Sequence, residues 1–377
     1  MTEEVDKLIT RWRKLSGDKG RWHSHWDDLA RVMLPRRMGF TSTVIEGERR
    51  TDDIFDGTPM QAARGLANAI GGMMRPSGTP EISMRADDDA LNNIGEVKDW
   101  LADSTSRLRD AFSNPKARYL QVAPEIDQDL VVFGTAIEFI GESKNRNNLL
   151  FQSLHLKDVT PFFGEDGEVE GLFHKRSMSV RQLSDKYGEK ALSDSTRQIL
   201  KDNPDKKIDC LHAVVPRKEY KSGAMLARNL PVADLWIEIE TKHLIYTSGF
   251  HEFPFIVPRW ETSSGEDYGR SPGMIALPDS DTLQAMGETI LIAGQRAADQ
   301  PLFAPNDGSF DAINTFPGGI SYYDVETAAT MRGNPFFTLD SGANLPITRD
   351  MQLDERQQVF AAFYRNVLNL PVAGPQM

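Results

Sequence analysis

The spacing of apolar residues in the first third of the chain is typical of amphipathic helices. Apolar positions recur every three or four residues, break over residues 16–20, resume, and end at Leu34-Pro35, where proline stops a helix. We therefore predict two helices joined by a turn at residues 16–20. The apolar positions are Val5, Leu8, Ile9, Trp12 and Leu15, followed by Trp22, Trp26, Leu29, Ala30 and Met33.

Three more helices are predicted before residue 134. Thr58-Pro59 indicates a helix start, with Thr58 as N-cap and proline at the first helical position. A narrow face of small and apolar residues follows and permits close packing; it consists of Ala62, Ala63, Leu66, Ala67 and Ile70. Apolar spacing predicts the other two helices over residues 94–112 and 119–132.

The middle of the chain changes from the helical to the strand period. Alternating and β-branched residues predict antiparallel strands, with Gly164-Glu165-Asp166-Gly167 as one hairpin turn. Short helices are predicted from Ser179 to Tyr187-Gly188 and over residues 193–200. We predict an α+β part built from strands at residues 135–140, 149–156, 159–163, 169–178, 211–215, 233–240, 243–248 and 255–260.

The last third contains two predicted helices, over residues 279–298 and 350–368, separated by a segment rich in proline and glycine. Short strands, such as residues 320–323, are expected within that segment. The first helix has an apolar face of Leu283, Met286, Ile290, Ala293 and Ala297. Its other side carries a polar stripe of Gln284, Glu288, Gln295 and Asp299.

Composition limits the class of protein. The chain has 377 residues, 40% of them hydrophobic, which is enough for two or three domains. Its net charge is -12, whereas a typical nucleic-acid-binding protein is basic overall. Cys210 is the only cysteine, so an intramolecular disulfide framework and a zinc site of paired cysteines are excluded. No secretory signal or membrane-spanning run is visible, so we expect a soluble, cytoplasmic protein.

Motifs for catalysis or cofactor binding are weak or absent. The chain has neither a phosphate-binding loop nor a nucleophile elbow, and His23 and His25 point to different helix faces. The aspartates at 52, 53 and 56 and at 87–89 do not fit a calcium loop. Glu96-Val97-Lys98 downstream of Asp89 matches a metal-dependent nuclease only faintly. We predict no cofactor, no metal and no enzymatic activity.

A set of short motifs follows a definite order along nearly the whole chain. They are Leu34-Pro35, Arg50-Thr51-Asp52-Asp53-Ile54-Phe55-Asp56-Gly57-Thr58-Pro59, Ala62-Ala63-Arg64-Gly65-Leu66-Ala67, Gly71, Gly72, Pro76, Tyr187-Gly188, Tyr268-Gly269-Arg270-Ser271-Pro272, Ala276-Leu277-Pro278-Asp279, Leu283, Pro301-Leu302-Phe303-Ala304-Pro305-Asn306-Asp307-Gly308 and Pro317-Gly318-Gly319-Ile320. In this order they resemble the head-to-tail connecting, or portal, proteins of short-tailed bacteriophages. Family members run on after Gln376-Met377 into a Thr-Ala-Thr-Glu-Val segment, so we expect this chain to lack the rest of a long helix and any crown.

The resemblance implies an α+β portal protomer in five parts. Residues 1–134 would form the helical part of the wing and 135–265 its α+β part, while 266–300 would form a stem helix. A small β-containing clip would follow over 301–346, and a second, truncated stem helix over 347–377. Such proteins form a ring of about twelve subunits at one capsid vertex. The implied location is the virion, after assembly in the host cytoplasm.

The implied partners are other copies of the chain, double-stranded DNA bound without sequence specificity, the packaging motor (terminase), the major capsid and scaffolding proteins, and tail adaptor proteins. A membrane is not among them. An acidic or neutral tunnel would keep phosphate contacts weak and let DNA slide. Ordinary solubility charge explains the acidity equally well.

Two sets of residues are the candidate sites. The polar stripe Gln284, Glu288, Gln295 and Asp299 is predicted to line the channel, with the outer surface as the alternative. Aromatic side chains of the clip are predicted to bind the motor and tail, with packing between neighbouring clips as the alternative; they are Phe310, Phe316, Tyr322 and Tyr323. Competing functions are a DNA-acting metal-dependent nuclease and another virion ring protein, such as an adaptor.

Overall fold

The computed structural model divides the chain into two compact units. The first consists of Met1–Asp53, Gly57–Leu277 and Val359–Met377, and the second of Ile54–Asp56 and Pro278–Gln358. The structure describes residues 2–43, 45, 47–76, 82–143, 147–217, 226–298, 302–303, 337–338 and 345–367. The mixture of helix and sheet confirms the α+β class. The five-part division into wing, stem and clip stays a prediction.

Six helices precede the first strand of the first unit among the described residues. The turn predicted over residues 16–20 is shorter than expected, because only Lys19 separates the first two helices. A single 3-10 turn, Pro35–Arg37, follows the second helix, as the proline predicted. The helices are α1 (Thr2–Asp18), α2 (Gly20–Met33), α3 (Thr58–Met74), α4 (Asp89–Asn92), α5 (Gly95–Ser113) and α6 (Tyr119–Phe133).

The start of α3 differs from the prediction in one respect. The N-cap is Gly57, and Thr58 is already helical, so no side chain caps this end. Pro59 lies at the start of the helix as expected. The face of small residues is buried, including Ala62, Ala63 and Leu66. The sequence therefore predicted the helix and its packing face, but placed the cap one residue late.

Two antiparallel sheets form the strand-rich part of the first unit. The larger has the order β3-β4-β5-β6-β7, so each strand pairs with its neighbour in sequence. The smaller has the order β2-β1-β8. The strands are β1 (Glu138–Glu142), β2 (Leu149–Ser153), β3 (Val159–Phe163), β4 (Val169–Ser179), β5 (Lys207–Pro216), β6 (Val232–Glu238), β7 (His243–Phe250) and β8 (Phe255–Ile256). The predicted hairpins are confirmed, with strand ends shifted by a few residues.

Both faces of the five-stranded sheet are covered by helices. Leu211 belongs to an apolar cluster with Val5 and Ile9 of α1. Its neighbour Cys210 belongs to a second cluster, with Val180 and Leu183. The strand period of two turns these adjacent residues to opposite faces. The second cluster is packed by α7 (Val180–Tyr187) and α8 (Asp194–Asp202), and Ser179 begins α7 with a complete capping box.

The second unit contains most of two helices. The helix α9 (Pro272–Ala298) begins seven residues before the predicted position and continues through Pro278. The helix α10 (Leu345–Ala362) begins and ends earlier than the predicted range of 350–368. Between them, β9 (Leu302–Phe303) pairs with β10 (Phe337–Thr338) in an antiparallel arrangement. The strand predicted at residues 320–323 lies outside the described residues. No described helix is long and apolar enough to cross a bilayer.

Candidate functional site

The two helices of the second unit meet at a buried carboxylate. Asp56 is 5% exposed, and its Oδ2 accepts a hydrogen bond from Arg356 Nε at 2.9 Å and from Gln352 Nε2 at 3.3 Å. Both donors lie on α10, one turn apart. Gln284 on α9 completes the group, which we call the Asp56 cluster: Asp56, Gln284, Gln352 and Arg356.

Gln284 attaches α9 to the segment that contains Asp56. Its side-chain oxygen accepts hydrogen bonds from the backbone N–H groups of Phe55 at 2.8 Å and Asp56 at 3.0 Å. Its Nε2 donates to the carbonyl of Asp56 at 2.7 Å. The amide of Gln284 therefore acts as a backbone mimic, and residues 54–56 join α9 to α10.

A glycine allows this close approach. A Cβ added at Gly287 would lie 2.9 Å from the Cβ of Phe55 and 3.4 Å from its backbone carbon. Real Cβ atoms do not reach the first of these distances, so a side chain at position 287 would push residue 55 away from α9. Gly287 lies three residues after Gln284, one turn along the same helix face. Two successive turns of α9 therefore fit the segment of residues 54–56: Gln284 binds its backbone, and Gly287 leaves room for it.

The structure divides the predicted channel-lining stripe. Gln284 is buried and its amide is engaged by residues 55 and 56. Glu288 and Gln295 are exposed further along the same face of the helix. Asp299 lies outside the described residues. A channel-lining position stays a prediction, and among described residues it applies to Glu288 and Gln295.

Exposed aliphatic side chains lie on both helices of this unit. Leu291 and Ile292 on α9 are 52% and 41% exposed. Met351 and Leu353 on α10 are 52% and 44% exposed. Exposed apolar side chains of this size, on each of two helices, are available for contact with another protein. The four residues are called the aliphatic surface below.

The aromatic residues predicted to bind partners, Phe310, Phe316, Tyr322 and Tyr323, lie outside the described residues. Their assignment to the motor and tail stays a prediction.

Perturbed ionisable groups are found instead in the first unit, in structural positions. Burial raises the pKa of Asp129 to about 7, and this carboxylate lies 3.0 Å from the Arg37 guanidinium. Burial also raises the pKa of Asp127, which pairs with Arg75. Each carboxylate has its own arginine partner. Among the described residues, no group of three or more His, Cys, Asp or Glu side chains could hold a metal ion.

Comparison with known proteins gives the decisive observation. The family described as bacteriophage head to tail connecting protein matches residues 5–376 of this chain. The chain belongs to this family. The match covers nearly the whole sequence and confirms the resemblance that the ordered motifs indicated, whereas nothing in it supports a nuclease.

Two relatives of this connector-family chain come from phages. A portal protein of Salmonella phage epsilon15 is 26% identical over 366 residues, covering 96% of this chain and 65% of the relative. A probable portal protein of Bordetella phage BPP-1 is 26% identical over 385 residues, covering 100% of this chain and 68% of the relative. The chain thus spans about two thirds of the length of these relatives.

Sequence reasoning missed the Asp56 cluster. The motif Asp56-Gly57-Thr58-Pro59 indicated a helix start, and that interpretation accounted for its aspartate without a distant partner. Gln352 and Arg356 lie about 300 residues away, so no local spacing connects them to Asp56. The one available signal was Gln284 itself, a polar residue next to the apolar face of α9.

Proposed function

We propose that this chain is the protomer of a portal ring, which joins a phage head to its tail and gives double-stranded DNA a passage during packaging and ejection. The family match supports this function. The observation that carries it is the aliphatic surface, because exposed aliphatic side chains on both helices of one unit need cover from other copies of the chain. In a ring of about twelve copies every protomer has a neighbour on each side, so the aliphatic surface of each copy can be covered.

The proposed role is that of a conduit, not an enzyme. The ring holds DNA without reading its sequence, and the packaging motor supplies the energy. The capsid, the scaffolding, the motor and the tail adaptors attach to the outside of the ring. Residues 301–346, with Phe310, Phe316, Tyr322 and Tyr323, are the proposed attachment region for the motor and tail. The virion is the proposed location, after assembly in the host cytoplasm.

The test is the size of the assembled particle. We expect multi-angle light scattering and negative-stain images of the purified chain to give a closed ring. Ile292→Glu and Leu353→Glu place a charge in the aliphatic surface and should shift the population to smaller species by at least about tenfold. Ile45→Glu is the matched control, because Ile45 is 71% exposed and lies in the first unit. Monomers at all concentrations, or rings unaffected by both variants, would contradict the proposal.

A further inference from the structure

The helix α5 packs on its own protomer mainly near its C-terminal end, where the half-buried Phe112 contacts an apolar cluster. None of its 19 residues is buried. Trp100, in its first half, is 65% exposed. Most helices in proteins depend on a buried face, so the first half of α5, around Trp100, leaves apolar surface available for another partner. A large aromatic side chain in this position is typical of an interface anchor, because tryptophan combines a wide apolar surface with one hydrogen-bond donor.

A cavity lies on the side of α5 opposite to Trp100. Arg109 is nine residues from Trp100, which corresponds to half a rotation about the helix axis. Arg109 and Phe112 line a cavity of about 510 Å³ between α3, α5 and α6. The cavity floor includes Gly71 and Gly72, where side chains are absent, and the rim includes Leu120, which is 67% exposed.

The cavity has the chemistry to hold an aromatic ring that carries an N–H group. Phe112 and Tyr119 pack edge to face, with ring centroids 5.2 Å apart, and both line the cavity. Asp127, paired with Arg75, supplies carboxylate oxygen at the wall. Within the described part of the chain, no carboxylate lies within salt-bridge distance of Arg109. Its guanidinium can therefore stack on an incoming aromatic face.

The charges around Trp100 are opposite to those around the cavity. Glu96 and Asp99 lie four residues and one residue before Trp100, and both are exposed. No cation of the described residues forms a salt bridge with either carboxylate. The cavity side offers the cation Arg109, while the charge of Arg75 is already compensated by Asp127. A chain that presents Trp100 with acidic neighbours is thus complementary to the cavity of another copy.

We propose that Trp100 of one copy occupies the cavity beside Arg109 and Asp127 in the next copy. This inference rests on the proposed ring and names one contact within it. Because the tryptophan and the cavity lie on opposite faces of the same helix, the contact runs head to tail. Each copy gives its tryptophan to one neighbour and receives a tryptophan from the other, which is the type of contact from which a ring is built when its rotation closes.

Cysteine cross-linking tests this contact directly. Ser104→Cys is placed one turn from Trp100, and Leu120→Cys at the cavity rim of the same chain. Burial raises the pKa of the native Cys210 thiol to about 12, so this thiol stays protonated and unreactive. Under mild oxidation, we expect a ladder of cross-linked oligomers in a non-reducing gel. Either cysteine alone should give no ladder.

Two variants show whether Trp100 and the cavity cation cause the ladder. Trp100→Ala and Arg109→Glu, each in the double-cysteine chain, should reduce the cross-linked fraction about tenfold. Adding Glu96→Lys and Asp99→Lys to Arg109→Glu should restore it, because the charges are then complementary again. Circular dichroism verifies that each variant is folded, and the charge-restored chain is informative even if Trp100→Ala misfolds.

The outcomes separate this contact from the ring itself. Rings in light scattering together with a ladder that needs Trp100 support the inference. Rings without a ladder, or with a ladder unchanged by both variants, overturn the inference and leave the proposed function standing. A monomer at every concentration overturns both.

Discussion

Three buried charged side chains are each held by several hydrogen bonds. The Lys19 ammonium donates to the carbonyls of Leu156, Lys157 and Val159. Burial lowers the pKa of Lys19 to about 7. The Glu238 carboxylate accepts from the hydroxyls of Ser193, Thr196 and Thr241. Asp56 is the third, in the cluster described above. Such groups are costly to bury unless they are paired, so each pairing fixes one arrangement of distant segments.

The first prediction concerns Asp56. Asp56→Ala removes the acceptor of Arg356 and Gln352, and we expect a loss of about 1–3 kcal/mol in the free energy of unfolding. Asp56→Asn keeps one acceptor oxygen and should lose less. Urea denaturation measures both. Asp53→Ala is the control, because Asp53 is exposed and three residues away. A midpoint for Asp56→Ala equal to that of the control would contradict a stabilising cluster.

The second prediction is a pH dependence that comes from His155. Its Nδ1 accepts from the Lys157 N–H and its Nε2 lies 3.0 Å from the Arg37 carbonyl, so the neutral ring fits the site. Burial, with the positive charge of Arg37 as a smaller cause, lowers its pKa to about 4. Below about pH 6.5 the imidazole is protonated in the unfolded chain but stays neutral in the folded chain. The free energy of unfolding therefore falls as the pH drops from about 6.5 to about 4.

His155→Gln tests this dependence, because glutamine keeps one donor and one acceptor without titrating. The difference in unfolding free energy between wild type and variant should change by about 2 kcal/mol between pH 7 and pH 4.5, to the disadvantage of the wild type in acid. Urea midpoints at five pH values measure it. The exposed His251→Gln should run parallel to wild type. Parallel curves for His155→Gln as well would refute the assignment.

At the scale of elements, the C-terminal end of α6 requires glycine. Gly134 has φ +74° and ends the helix in the left-handed conformation. An added Cβ would lie against the carbonyl group of Gly269, at 2.7 Å from its carbon. Gly72 in α3 is the contrasting case, since nothing lies within 4 Å of its added Cβ.

The third prediction follows from this contrast. Gly134→Ala should lower the unfolding free energy by about 2 kcal/mol or more, through strain and the close carbonyl. Gly72→Ala should leave it unchanged or raise it by about 0.5–1 kcal/mol, because alanine favours the helix. Thermal or urea unfolding compares the two. Equal changes in unfolding free energy for the two variants would contradict the prediction, because they would show that residue 269 can move away from a side chain at position 134.

The helices and strands could be predicted from the sequence more completely than the long-range contacts between them. Periodicity gave the helices α5 and α6 and the hairpin of β3 and β4 within a few residues, because one buried face per element leaves a regular pattern. The start of α9 was placed seven residues too late, because the helix continues through Pro278, an interior position where proline normally disfavours a helix. The Asp56 cluster was not predictable, because its hydrogen bonds join residues far apart in sequence.

At the scale of the whole molecule, the fourth prediction concerns the polar stripe. If Glu288 lines the channel, Glu288→Lys together with Asp299→Lys adds about two dozen lysines around the bore of a ring of about twelve copies, and these bind phosphates. Binding of double-stranded DNA by the rings should then tighten, with a steeper dependence on salt, and packaging should slow. Filter binding at several salt concentrations measures the first effect.

The control for this fourth prediction is Glu168→Lys, an exposed charge reversal in the hairpin turn of the first unit. It should leave DNA binding and packaging nearly unchanged. If the stripe variant behaves like this control while its rings remain intact, the stripe faces the exterior.

The strand order of the two sheets has a consequence for synthesis on the ribosome. Every strand of the five-stranded sheet pairs with its sequence neighbour, so this sheet can form strand by strand as the chain emerges. The small sheet cannot, because Glu138 of β1 pairs with Ile256 of β8. One edge of β1 therefore has no partner strand until all of the larger sheet has been translated. A nascent chain stalled before residue 256 would expose that edge and be prone to aggregate.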